Sequence, residues 1–157
     1  MKQAVLALAF VFAAACAGGG GSSSGPATVP GQGAITISIN PNPIHAVNVS
    51  GTTYDFPFDV IVRETGGRPV EITRVSAEVI GPLGVSLATE SYDAARITQL
   101  GFSTHVPANS ELRYHFAPRK AVPDDRLFGS VSADLRVEAH DDNGAPATAS
   151  TNVTISR

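Results

Sequence analysis

From residue 34 onward, apolar side chains recur at every second position. Ile35, Ile37 and Ile39 alternate with Thr36 and Ser38, and Tyr54, Phe56, Phe58, Val60 and Val62 alternate with Asp55, Pro57 and Asp59. Five alternations in a row place one set of side chains on one face of a strand and cannot line one face of a helix. Leu112, Tyr114 and Phe116 repeat the pattern. Val131, Ala133, Leu135, Val137 and Ala139 give its cleanest stretch, and Ala147, Ala149, Thr151, Val153 and Ile155 its last.

The interruptions are as informative. Asn40-Pro41-Asn42-Pro43 ends the first strand, because proline donates nothing to a ladder, and residues 44–50 resume as an edge segment. Pro57 puts the first half of its strand at a sheet edge or a bulge. Turns are expected at Thr65-Gly66-Gly67 and at Gly81-Pro82-Leu83-Gly84. The apolar parity shifts between Ile72 and Val75, which predicts a bulge near Arg74. Val85 and Leu87 suggest a short strand, and Asp93 to Arg96 a helical turn. Asp141-Asp142-Asn143-Gly144 predicts a hairpin, since Asn and Gly both tolerate positive φ, so the last two strands pair antiparallel. Seven to nine short strands, each with one apolar face, bury those faces by packing as two sheets. The expectation is an all-β, two-sheet antiparallel sandwich over residues 34–157. A domain of that size buries roughly two-thirds of its unfolded surface, enough for a core without staples.

The organisation from Tyr54 to Ile155 resembles bacterial immunoglobulin-like domains. The resemblance rests on Arg63-Glu64-Thr65-Gly66-Gly67, on Val106-Pro107-Ala108-Asn109-Ser110 and on the closing Asp-Asn-Gly hairpin. It implies an architecture and no particular activity. The antibody signature is absent: the chain has one cysteine and no Trp, and Val131 and Ala133 stand where a corner Tyr and second Cys are expected.

That cysteine, Cys16, lies outside any expected core. Lys2 precedes an unbroken apolar run from Ala4 to Ala15. As a helix this run measures about 18 Å, too short for a hydrocarbon layer of about 30 Å. A basic start, a short apolar stretch and small residues at its end describe a signal peptide over residues 1–15. Ala13-Ala14-Ala15-Cys16 resembles the lipobox of bacterial lipoproteins. The resemblance implies a diacylglyceryl group on the Cys16 sulfur, cleavage before it, and a membrane held through N-terminal acyl groups. Ala17 in place of an Asp after the cysteine points to the outer membrane of a bacterial cell envelope. The other reading of Ala13-x-Ala15 is ordinary secretion. Residues 16–33, rich in Gly, Ser and Pro, read as a flexible tether spanning about 23 Å root-mean-square.

Composition changes the picture mainly by exclusion. The net charge of −3 leaves no footprint for nucleic acid. No G-x-S-x-G elbow, Walker loop or dinucleotide fingerprint occurs, and no cofactor is expected. His45, His105, His115 and His140 share no metal-binding spacing. Asp124 and Asp125, with Asp141, Asp142 and Asn143, form two oxygen-rich loops whose convergence would offer calcium a site, although tight turns select the same residues. The expected function is a non-catalytic interaction or accessory module, its partner an envelope protein. The edge segment 43–50 and the surroundings of Tyr92 and Asp141 are its candidate surfaces. The alternative is a small-ligand or calcium module using the Asp124 and Asp141 loops.

Overall fold

The computed structural model describes residues 29–157. The apolar run 4–15, Cys16 and residues 17–28 lie outside the described residues.

Among the described residues twelve strands and one short α-helix follow one another: β1 (Ile35–Asn40), β2 (Ile44–His45), β3 (Val47–Ser50), β4 (Thr53–Asp55), β5 (Phe58–Glu64), β6 (Val70–Ile80), β7 (Ser86–Asp93), α1 (Ala94–Gln99), β8 (His105–Val106), β9 (Glu111–Phe116), β10 (Arg119–Ala121), β11 (Ser132–Asp141) and β12 (Pro146–Ser156). They form a three-stranded sheet β1-β5-β9, a second of order β10-β4-β3, and a six-stranded sheet β2-β12-β11-β6-β7 in which β8 also pairs with β6. All pairings are antiparallel except β12 with β2.

One apolar cluster joins the first and third sheets. Ile35, Ile37, Val60, Val62 and Tyr114 face Val70, Ile72, Val137, Ala149 and Val153 across it. The chain is therefore all-β and sandwich-like, as the period-two pattern requires. Its strand count exceeds the expected seven to nine. The additions are pieces such as β2, β8 and β10, two or three residues long, which carry no periodic signal. The run Tyr54 to Val62 is likewise two strands in two sheets. Phe56 and Pro57 separate β4 from β5, so that Tyr54 and Val60 reach the same core from different ladders.

Two local expectations fare differently. Glu138 faces Arg74 and Ala139 faces Ile72, which leaves Thr73 as the extra residue of a bulge beside Arg74. The closing hairpin is not a two-residue Asn-Gly turn. Asp141 N donates to the carbonyl of Ala145, only Gly144 has positive φ (81°), and Asp142, Asn143 and Gly144 form a three-residue loop.

The chain enters the domain before residue 34. Gly33 is buried, and a Cβ there would lie 2.6 Å from Val70 Cγ1 and 2.8 Å from Asp141 Cβ. Its N–H donates to Asp141 Oδ2 (3.0 Å), and the next N–H, of Ala34, donates to Glu64 Oε1 (3.2 Å). Arg68 bridges Asp142 and the carbonyl of Gly31. The last residues of the expected tether are thus part of the folded domain.

Candidate functional site

At the end of the core remote from Gly33, the sheets do not close. A cleft of about 780 Å³ opens between β7 and the segment that carries β9 and β10. This lies within the range of roughly 300–1,000 Å³ usual for small-molecule sites. Its floor is the core itself, with Val60, Val75, Leu135 and Val153 at the bottom. Its walls are aromatic: Phe56 and Phe128 at one side, Phe102 and Phe116 at the other. The rings touch at centroid distances of 5.0 Å for Tyr54 and Phe128, and 5.8 Å for Phe102 and Phe116.

β7 forms one lip. Among the described residues nothing pairs with its outer edge, and seven of its eight residues are exposed. Pairing jumps from Val79–Ala88 to Ile80–Ser86, which leaves Leu87 as an extra residue next to Gly81, and Leu87 lines the cleft at 54% exposure. Ala88, Glu90 and Tyr92 also line it, at alternate positions of one face. Helix α1, capped by Asp93 Oδ1 on the N–H of Arg96 (2.8 Å), brings Arg96 and Leu100 to the rim.

Polar groups gather at this mouth. Tyr92 Oη donates to Glu90 Oε2 (2.7 Å), and Lys120 Nζ lies 3.3 Å from Glu90 Oε1. The Tyr92 hydrogen bond, assisted by Lys120 and opposed by burial, holds the Glu90 carboxyl below its usual pKa. The same bond pushes the Tyr92 hydroxyl up. Arg96 gives one N–H to Gln99 Oε1 (3.0 Å). His115 also reaches the cleft while its Nδ1 meets Asp59 Oδ1 (2.8 Å).

The acidic loops singled out from sequence do not converge. They lie at opposite ends of β11, whose ten residues span about 30 Å. Asp124 caps a single 3-10 turn through the N–H of Arg126, and Asp125 accepts from Tyr54 Oη (2.8 Å) and pairs with Arg157. Asp141, 2% exposed, accepts the N–H groups of Gly33, Asn143 and Ala145, while Asp142 binds Arg68. The Gly33 bond is the largest influence lowering the Asp141 pKa. Asn143 contributes its backbone N–H to this loop. Among the described residues, no group of three or more His, Cys, Asp or Glu side chains is arranged to hold a metal ion.

Two arrangements were not assigned a role from the sequence. Glu64, 1% exposed, accepts four backbone N–H groups, from Ala34, Gly66, Gly67 and Asn109. Burial works to raise its pKa, but the four donors together outweigh burial and lower it. A charged residue before Gly-Gly is the sequence signal, because the tight turn aims successive amides at one carboxylate. The charged rim of Glu90, Arg96 and Lys120 has no local signal at all, since it joins a strand, a helix and a distant short strand.

No family model matches the sequence, and no curated protein matches it significantly. Solved structures do share its fold. A protein from Bordetella pertussis, provisionally named ApaA, superposes with a TM-score of 0.58 at 13% identity, over 82% of this chain and 99% of that one. A structural-genomics target called SoR45 superposes with a TM-score of 0.53 at 8% identity, over 81% of this chain and 89% of that one. At such identities the likeness extends to architecture and no further.

Proposed function

We propose that this protein is a non-catalytic binding module of the bacterial cell envelope, an immunoglobulin-like sandwich held on a tether from an acylated Cys16. The observation that carries the binding role is the apolar cleft, a concave site with a few polar groups at its rim. The core remains open at one end, where the half-buried rings of Phe102, Phe116 and Phe128 and the exposed Leu87 and Leu100 form an apolar patch of the kind that marks binding surfaces. The anchor is supported by the apolar run, the small residues before Cys16 and the Gly/Ser-rich stretch after it. Two or three acyl chains suffice to hold such a module, at about 0.8 kcal/mol per buried CH₂. Among the described residues no helix is long and apolar enough to cross a membrane.

Mass spectrometry of the mature N-terminus tests the anchor: a terminal peptide beginning at Cys16 with added lipid mass is expected, and an unmodified start beyond it overturns this half. Titration with an environment-sensitive apolar dye tests the cleft. Saturable binding with one-to-one stoichiometry is expected, and no binding overturns that half.

A further inference from the structure

Resting on the reading of the cleft as a binding site, we infer that its ligand is the single acyl chain of an anionic amphiphile, with the head group held by Arg96 and Lys120. The floor and walls are hydrocarbon and aromatic ring, which suit a chain without polar atoms. The charged side chains that line the cleft besides His115 are two cations, Arg96 and Lys120, and one carboxylate, Glu90. Both cations keep capacity beyond the bonds already described. Arg96 offers five N–H donors and places one on Gln99; Lys120 offers three and places one on Glu90. Glu90 accepts from both Tyr92 and Lys120, so its charge is engaged within the rim. The mouth therefore presents an excess of positive donors above an apolar floor, which matches a carboxylate or phosphate on a hydrocarbon tail and rejects a cationic head.

The test uses the chain from residue 16 onward carrying Cys16→Ser, which has neither the apolar run 4–15 nor an acyl group and needs no detergent. Hexadecanoate, hexadecanol and hexadecyltrimethylammonium compete with the bound apolar dye at low salt, below their aggregation concentrations. Hexadecanoate is expected to bind about tenfold more tightly than the alcohol, the scale of one partly exposed charge-assisted hydrogen bond. Arg96→Gln with Lys120→Gln should remove that advantage and leave the alcohol unchanged. Ala88→Trp, on the exposed lip, should abolish binding of dye and amphiphiles alike while the thermal midpoint stays in place. Dye binding insensitive to Ala88→Trp, or no binding, overturns the cleft itself. Binding lost in Ala88→Trp, with equal affinity for the acid and the alcohol or an unaltered ratio in the double variant, overturns only the anionic head. Displacement of the dye by an extended apolar peptide but by none of the amphiphiles overturns the acyl chain.

Discussion

The two ends of the core are held by opposite means. Where the chain enters, the buried carboxylates of Glu64 and Asp141 accept seven backbone N–H groups between them and stitch residues 33–34, 64–67, 109 and 141–145 together. At the other end, aromatic rings meet edge to face or tilted beside a space they do not fill. Hydrogen bonds to a buried anion are directional and leave no slack. Dispersion contacts among rings tolerate a gap whose walls a guest then completes. The buried carboxylates and the proposed binding cleft thereby lie at different poles of one small domain, and substitutions at the two poles should separate stability from binding.

Glu64→Leu should have the largest effect. It strips four N–H groups of their acceptor, that of Ala34 buried and those of Gly66, Gly67 and Asn109 part-buried; a buried loss costs about 1–3 kcal/mol and a part-buried one less, so destabilisation should reach about 3 kcal/mol and the melting temperature should fall by about 10 °C. Gly66→Ala comes next. Its Cβ would sit 2.2 Å from the carbonyl oxygen of Gln32 and 2.7 Å from the nitrogen of Ala34, both backbone, and overpacking of this kind costs about 1–3 kcal/mol. A urea midpoint near the wild-type value for either variant would remove the closed pole as the source of stability.

Acid should act through the same pole. The carboxyls of Glu64 and Asp141 titrate below their ordinary values in the folded state. Their contribution is therefore complete above the unfolded values near pH 4 and is lost as pH falls through the lower, folded ones. Urea midpoints measured from pH 6 downward should stay level to about pH 5 and then decline. Glu64→Gln should make that decline shallower; an unchanged slope would assign acid sensitivity elsewhere.

At the open pole the effects on stability shrink. Lys120→Gln breaks an exposed pair with Glu90 and should alter stability by no more than about 0.5 kcal/mol, even where it changes ligand binding. The smallest expected effect is that of calcium. With Asp125 engaged by Tyr54 and Asp141 by three amides, calcium or EDTA should leave the thermal midpoint where it is. A rise with calcium would show that one acidic loop reorganises around the ion.

Legibility followed locality. The alternation at Ile35, Ile37 and Ile39, and from Ala133 to Ala139, marks buried faces because each position reports its own side of the pleat. The bulge at Thr73 was visible as a change of parity. β7 was legible only as a fragment, because a strand exposed along nearly its whole length has no reason to alternate. The break between β4 and β5 was hidden for the converse reason. Tyr54 and Val60 both point into one core, so the pattern runs on across a change of sheet. Glu64 carried a partial signal in the glycines that follow it, whereas Glu90, Arg96 and Lys120 carried none.

The order of apolar and polar residues by itself determined that this chain makes strands, which faces they bury, and that those faces need a second layer to exclude water. Only the tertiary structure decided where the layers part, because a cleft is a property of facing surfaces. Whether Phe116 and Phe128 meet or leave room depends on the spacing between sheets, and so does the approach of Lys120 to Glu90. That spacing is set by backbone paths far apart in sequence, and no local pattern records it.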